Sequence, residues 1–287
     1  MKKLFILPLL VQFIFISQTF AQDSLEEKQV SYFKFSGEYL SDNVYNGRKD
    51  STAIPYLTPT VGFYHKSGLF LVASASWLST EHRLDEMTIQ GGYGFSKNKL
   101  EGEFSVEKSF YSNSSYSVTS EMSGDVSAYL GYDMGAIKTS FTGTYTFGSA
   151  TDYGLSVGLE HSFSLFQDRA GITPTFTANA STQNAYNSYY QKRKYAKSRK
   201  GKVVAYDITA DLQNINDFKI MDYEASIPLS YSINQFTFEC TPTLAMPVNP
   251  NQVVLTIKSS NGGSGKRTYT EHLGTASFVS LGISYKF

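Results

Sequence analysis

Acidic side chains at alternating positions are the first feature of this chain that could do chemistry. Glu101, Glu103 and Glu107 share a stretch with Phe104, Val106 and Phe110. If that stretch is a strand, its period of two sends the three carboxylates to one face and the large apolar groups to the other. The same phasing adds Glu38, Asp125, Glu160, Glu224 and Glu239 to the carboxylate face, with Lys34, Lys138 and Lys286 as accompanying bases. Eight acids against three bases on one enclosed surface would concentrate cations, because low-dielectric walls focus the field. The competing reading is that these groups pair with one another and fill a closed interior.

A second charged feature is basic. Lys192, Arg193, Lys194, Lys197, Arg199, Lys200 and Lys202 are interleaved with tyrosines such as Tyr189, Tyr190 and Tyr195. Such a segment could fold onto carboxylates or bind the phosphates of lipopolysaccharide. A solvated loop is the plainer account of a charge run.

Catalytic and metal-binding patterns are thin. Phospholipases built on a twelve-stranded outer-membrane barrel use a His and a Ser two apart on a lipid-facing strand. Here His-x-Ser occurs as His65-Lys66-Ser67, in a short turn, while His161 directly precedes Ser162, so those two side chains oppose. His82 and His272 fall in connections. No His-Glu-x-x-His or calcium loop occurs, so no metal site is indicated. Gly262 to Arg267 is glycine-rich, but it lacks a leading Gly at 260 and a Ser or Thr after Lys266. It reads as a flexible external loop and not as a phosphate cradle. No cofactor is expected, and the chain reads as a non-enzyme.

The elements that must position these residues start from the compartment. Met1-Lys2-Lys3 precedes an apolar run from Leu4 to Ile16, and Thr19-Phe20-Ala21 supplies small residues at 19 and 21. That order predicts a secretory signal peptide over residues 1–21, too short for a membrane-spanning helix. Residues 22–31 then read as a short periplasmic segment. Of 25 Lys and Arg, losing Lys2 and Lys3 leaves 23 against 25 Asp and Glu. Nothing in that balance suggests nucleic acid. A single cysteine, Cys240, excludes an internal disulfide and reads as a small apolar residue on a strand face.

From residue 32 onward the dominant pattern is alternation in segments of about ten residues, as membrane-crossing strands require. Val279, Leu281, Ile283, Tyr285 and Phe287 share one face, and Ser280, Gly282, Ser284 and Lys286 the other. Strands are predicted near 32–42, 54–65, 68–80, 86–96, 99–111, 118–133, 136–147, 153–163, 170–181, 219–233, 236–247 and 279–287. Even-numbered connections are short, and odd ones are mostly longer, the longest being 182–218 and 248–273. That sorting, with 21 Tyr and 21 Phe recurring near strand ends, predicts a transmembrane up-and-down antiparallel β-barrel. Twelve strands is the expectation. Because Val203 to Leu212 also alternates, fourteen is the alternative, should the 182–218 loop cross the membrane.

The ending Ile283-Ser284-Tyr285-Lys286-Phe287 resembles the C-terminal signature of outer-membrane barrels. Ile54-Pro55-Tyr56-Leu57-Thr58-Pro59, Phe238-Glu239-Cys240-Thr241-Pro242 and Ala245-Met246-Pro247-Val248-Asn249-Pro250, with the Ala21-Gln22 junction, resemble uncharacterised porin-like barrels of Bacteroidota-type bacteria. The resemblance implies an outer-membrane address and recognition of Ile283, Tyr285 and Phe287 by the barrel-insertion machinery. Outer-membrane lipid and lipopolysaccharide would then be the surroundings. The expected function is a passive pore for small hydrophilic solutes, neutral or cationic. A non-conducting barrel that anchors binding loops and a lipid-modifying enzyme are the alternatives.

Overall fold

The computed structural model describes residues 30–49, 53–115, 117–191, 206–259 and 264–287. The predicted signal peptide and nearly all of the 22–31 segment lie outside them. The strands are β1 (Tyr32–Leu40), β2 (Val44–Tyr45), β3 (Arg48–Lys49), β4 (Tyr56–Tyr64), β5 (Leu69–Leu78), β6 (Arg83–Lys97) and β7 (Leu100–Tyr111). Next come β8 (Met122–Asp133), β9 (Lys138–Gly148), β10 (Asp152–Glu160), β11 (Phe163–Leu165), β12 (Ala170–Ile172) and β13 (Thr175–Ser181). The helix α1 (Asn184–Tyr189) precedes β14 (Tyr206–Leu212), β15 (Lys219–Ser226), β16 (Leu229–Ile233), β17 (Phe236–Pro247), β18 (Gln252–Ser259), β19 (Ser264–Thr270) and β20 (Ala276–Lys286).

Fifteen of these strands form one antiparallel sheet that closes on itself through β17–β20 and β20–β1. Three crossings are each interrupted once, β10 with β11, β12 with β13, and β15 with β16, so the wall has twelve staves. The fourteen-strand alternative fails because β14, β18 and β19 form a separate three-stranded sheet outside the wall. The alternation in β14 is real, but its partner is β18 of the other long loop. Two further expectations are corrected. Residues Val118–Glu121 form a 3-10 turn, so the sixth crossing begins at Met122. The glycine-rich segment read as a flexible loop enters strand β19 at Ser264, paired with β18.

Side-chain direction along each crossing is inverted relative to a soluble barrel. Phe104 is 52% exposed while its neighbour Ser105 is 1% exposed. Phe35, Leu71, Ile89, Val106, Phe141, Leu159, Phe238 and Leu281 also point outward, whereas Ser74, Thr88, Gln90, Ser127, Ser280 and Ser284 are buried inside. A continuous outward apolar belt over a polar interior is the arrangement of a membrane-spanning barrel. Short turns gather at the end holding both described termini, where Asn98 and Asn234 adopt positive φ, a conformation their short side chains tolerate. At that end Phe287 and Phe33 exchange backbone hydrogen bonds of 2.8 and 3.2 Å, which completes the wall.

The apolar core is at the opposite end, inside the mouth formed by the long connections. Leu40, Tyr56, Leu78, Met122, Ala276 and Phe278 from the wall pack there with Ile54 of the first long connection against Val44, Val118 and the aromatic rings of α1.

An inside-out wall makes a specific prediction. Val106→Lys should destabilise the barrel in lipid vesicles by about 2–4 kcal/mol, the cost of a base facing the hydrocarbon. Ser105→Lys, one residue away and facing in, should cost far less. Equilibrium unfolding in guanidinium from vesicles measures both.

Candidate functional site

All eight phased acids face the interior, and they fall into distinct groups. Near the short-turn end, Lys138 pairs with Glu101 and lies 3.1 Å from Glu160. Tyr129 donates its hydroxyl hydrogen to the same Glu101. Higher in the wall, Glu107 stands opposite Asp125 and accepts a bond from Ser109 Oγ at 3.3 Å. Glu38 accepts one from Ser280 Oγ at 2.8 Å. Glu103 keeps a buried carboxylate oxygen with no hydrogen-bond partner among the described residues. Glu224 and Glu239 line separate interior cavities. Among the described residues, six of the eight acids therefore have no ion-pair partner.

The three accompanying bases divide similarly. Lys138 is consumed in the ion pair just described. Lys34 shares a cavity with Glu38 and Glu239. Lys286 is at the short-turn rim, its ammonium 4.3 Å from the centre of the Tyr32 ring. Tyr32 in turn stacks on Tyr64 at 4.9 Å, and Tyr64 on Phe70 at 6.0 Å.

The interior has more acids than the alternation indicated. Glu86 has the phase of Thr88 and Gln90, a signal that was available in the sequence. Asp85 was not: a bulge beside Ser76 and Trp77 inserts it as an extra residue and turns it inward. It is fully buried, accepting from Tyr56 Oη at 2.5 Å and Ser115 Oγ at 2.7 Å and pairing with Arg83. This network ties the 112–121 connection to the wall.

Among the described residues, two cavities lie inside the barrel. One, of about 90 Å³, is bounded by Lys34, Glu38, Thr60, Thr88, Glu107 and Glu239. The other, of about 110 Å³, is nearer the long loops, among Asn46, Thr144, Ser156, Asn179, Glu224 and Phe278. Most residues around each carry a hydroxyl, amide or carboxylate group, which can hold water, while the larger share of the lining surface is apolar.

Above the second cavity the mouth is capped. Tyr186, Tyr189 and Tyr190 are almost wholly buried, together with Val118, Val253 and Leu212. A wall residue anchors the helix: Asp152 accepts from the backbone N–H of Asn184 at 2.7 Å and of Ala185 at 2.8 Å. It also accepts from Thr182 Oγ1 at 2.5 Å. Two of the free N–H groups of the first helical turn are thereby satisfied.

A buried ion pair links the three longest connections to one another. Arg48 of the β2–β3 hairpin pairs with Glu271 of the last loop at 3.3 Å, both nearly inaccessible. Its guanidinium also donates to Asn46 O at 2.8 Å, Asn249 O at 3.2 Å and Val248 O at 3.3 Å. Glu271 accepts from Asn251 N at 3.1 Å, Asn251 Nδ2 at 2.9 Å and Tyr186 Oη at 3.1 Å. Burial and the neighbouring carboxylate hold the Tyr186 phenol well above its usual range, so it remains a donor. Gln183 and Asn251 exchange amide hydrogen bonds of 3.0 and 2.7 Å beside this pair.

The hairpin carrying Arg48 had a signal that sequence reasoning passed over. Asn46 and Gly47 both have positive φ, the conformation of a two-residue type I′ turn, for which Asn-Gly is the preferred pair. Gly47 is also pressed onto the wall, since a Cβ there would come within 2.8 Å of Asp222 Cβ and 2.9 Å of Pro247 Cα.

The other singled-out residues are dispersed. All seven predicted loop bases, Lys192 to Lys202, lie outside the described residues. His65 Nδ1 is 2.8 Å from Ser67 Oγ and accepts from Ser67 N at 3.2 Å, which closes an exposed turn. His161 falls where β10 gives way to β11 and packs edge-on against Phe163. Cys240 faces outward between Leu229 and Leu281 on the adjoining strands.

No protein-family model matches the chain, and no curated protein does. Among solved structures, the KdgM porin is similar at a TM-score of 0.45 and 11% identity, over 90% of this chain and 99% of that one. The KdgM porin in complex with disordered oligogalacturonate gives 0.41 and 12%, over 90% and 99%. The outer membrane channel DcaP of Acinetobacter baumannii gives 0.32 and 11%, over 92% and 99%. The strand count and closure of this barrel rest on its own pairings.

Proposed function

We propose that this barrel is an outer-membrane pore for small hydrophilic solutes, neutral or cationic, held shut by its own external loops. One observation carries the reading: the inward face is polar along the wall and, among the described residues, retains carboxylates without ion pairs. Burying charge without compensation is costly. A barrel built only as an anchor could fill its interior with apolar or fully paired groups. An acidic lined passage instead lowers the energy of an entering cation. Glu101, Glu103 and Glu107 would set its potential, and the cap latched by Arg48 and Glu271 would be the gate.

The same proposal includes the route to the membrane. Residues 1–21 direct export, and Ile283, Tyr285 and Phe287 are read by the insertion machinery. The basic segment from Lys192 to Lys202 meets lipopolysaccharide phosphates outside. A second reading is favoured by the cap itself: an apolar plug sealing the mouth also suits a non-conducting barrel that presents its loops to a partner.

Planar bilayer recording under a potassium chloride gradient separates the two. The unaltered protein should open rarely, and Arg48→Ala should give steady, cation-selective current. In the Arg48→Ala background, replacing Glu101, Glu103 and Glu107 by Gln should move the reversal potential toward zero. A folded, inserted Arg48→Ala barrel that passes no current would decide for the anchor. Breaking one partner of a buried pair typically costs about 3–5 kcal/mol. Amides of residues 184–190 in that variant should therefore exchange more than about a hundredfold faster, while β4–β8 stay protected.

A further inference from the structure

One part of the wall differs from the rest. Antiparallel strands exchange hydrogen bonds in reciprocal pairs, and proline cannot return the bond it accepts. Three adjacent strand pairs each have such a half-made exchange. His161 N donates to Pro174 O at 3.2 Å, Thr173 N to Pro228 O at 2.9 Å, and Ile227 N to Pro242 O at 3.1 Å. Within hydrocarbon no water replaces a missing donor. Three such losses in neighbouring pairs therefore mark a stretch built for something besides maximal wall stability. Thr175 Oγ1 makes good one of them by donating to Thr173 O at 3.0 Å.

A groove follows this proline row on the outer surface. It encloses about 820 Å³ and runs from Ile137 beside a short turn to Ser41 at the long-loop end. Leu159, Phe176 and Leu244 form ridges, Pro174 and Pro242 line it, and Ala225 and Ser277 leave its floor low. The ridge side chains belong to the exposed belt, so the groove opens toward lipid and not toward water. Its length spans the wall from one end to the other, and its surface is predominantly apolar.

We propose that this groove is a seat for one acyl chain of a membrane lipid. A flexible hydrocarbon chain fits an elongated apolar trough whose one charged lining residue, Glu160, turns its carboxylate inward to Lys138. The ridges and the flat proline rings give it contacts that the bulk bilayer does not. This site is independent of whether the lumen conducts.

The test uses the full barrel in phosphatidylethanolamine–phosphatidylglycerol vesicles doped with a phospholipid that carries a diazirine on its acyl chain. After irradiation and digestion, adducts should concentrate on Phe176, Ala225 and Leu244 over Leu71, Ile89 and Val106 on the opposite wall. Ala225→Trp should lower the groove adducts about tenfold, the effect of losing roughly two methylene contacts. Val106→Trp should leave them unchanged. Even labelling around the belt, or undiminished groove labelling in a folded Ala225→Trp barrel, would overturn the proposal. Folding is read from heat-modifiable migration on gels. If Ala225→Trp does not fold, Ser277→Trp carries the same expectation, and the unaltered protein's adduct map decides by itself.

Discussion

Pairing of β20 with both β17 and β1 is the constraint on which the rest of the structure depends. A bilayer offers no water to unpaired peptide groups, so a sheet can cross it only when no edge remains. The exchange between Phe33 and Phe287 closes the last gap at the short-turn end. Once the sheet is closed, its curvature separates two environments that alternate residue by residue along every strand. The outward belt of Phe, Leu and Ile and the inward rows of Ser, Thr and acids are consequences of that closure.

Closure also creates an interior that must be managed. At the short-turn end the Glu101–Lys138–Glu160 group and the Tyr32–Tyr64–Phe70 stack occupy the lumen. At the other end the loops fold back as a small soluble-like domain, with its own apolar core and a separate three-stranded sheet. Arg48 and Glu271 are 223 residues apart in sequence, and their contact exists only because the wall brings the first and last external connections side by side. The hydrophobic effect, spread over the outer surface in the wall, is concentrated in this cap.

The wall and the cap therefore have different stabilities and different freedom. The ladder of the twelve staves is broken by bulges at Ser76/Trp77, Met122/Gly124 and Asn179/Ala180, and along the proline row three reciprocal exchanges are half made. The cap joins an apolar core to one buried ion pair and a few amide and hydroxyl contacts, and the loss of such polar contacts is felt locally. An opening motion confined to the loops can leave the wall unchanged. The lipid-facing groove, set into the wall itself, is separate from that motion.

Much of this was legible in the residues. Period-two alternation and the sorting of short turns from long loops determined an antiparallel barrel and its twelve crossings, because both follow from local backbone geometry. The inward phase of Glu38, Glu101, Glu103, Glu107, Asp125, Glu160, Glu224 and Glu239 followed from the same period. Tertiary structure alone decided whether those acids would pair, since Lys138 meets Glu160 on the adjoining strand and reaches Glu101 across the intervening β8. It likewise decided that β14 would leave the wall to pair with β18, and that a bulge would turn Asp85 inward. The cap was invisible for the same reason: tyrosines of α1 become core only when distant connections converge over one mouth, and no local pattern encodes that convergence.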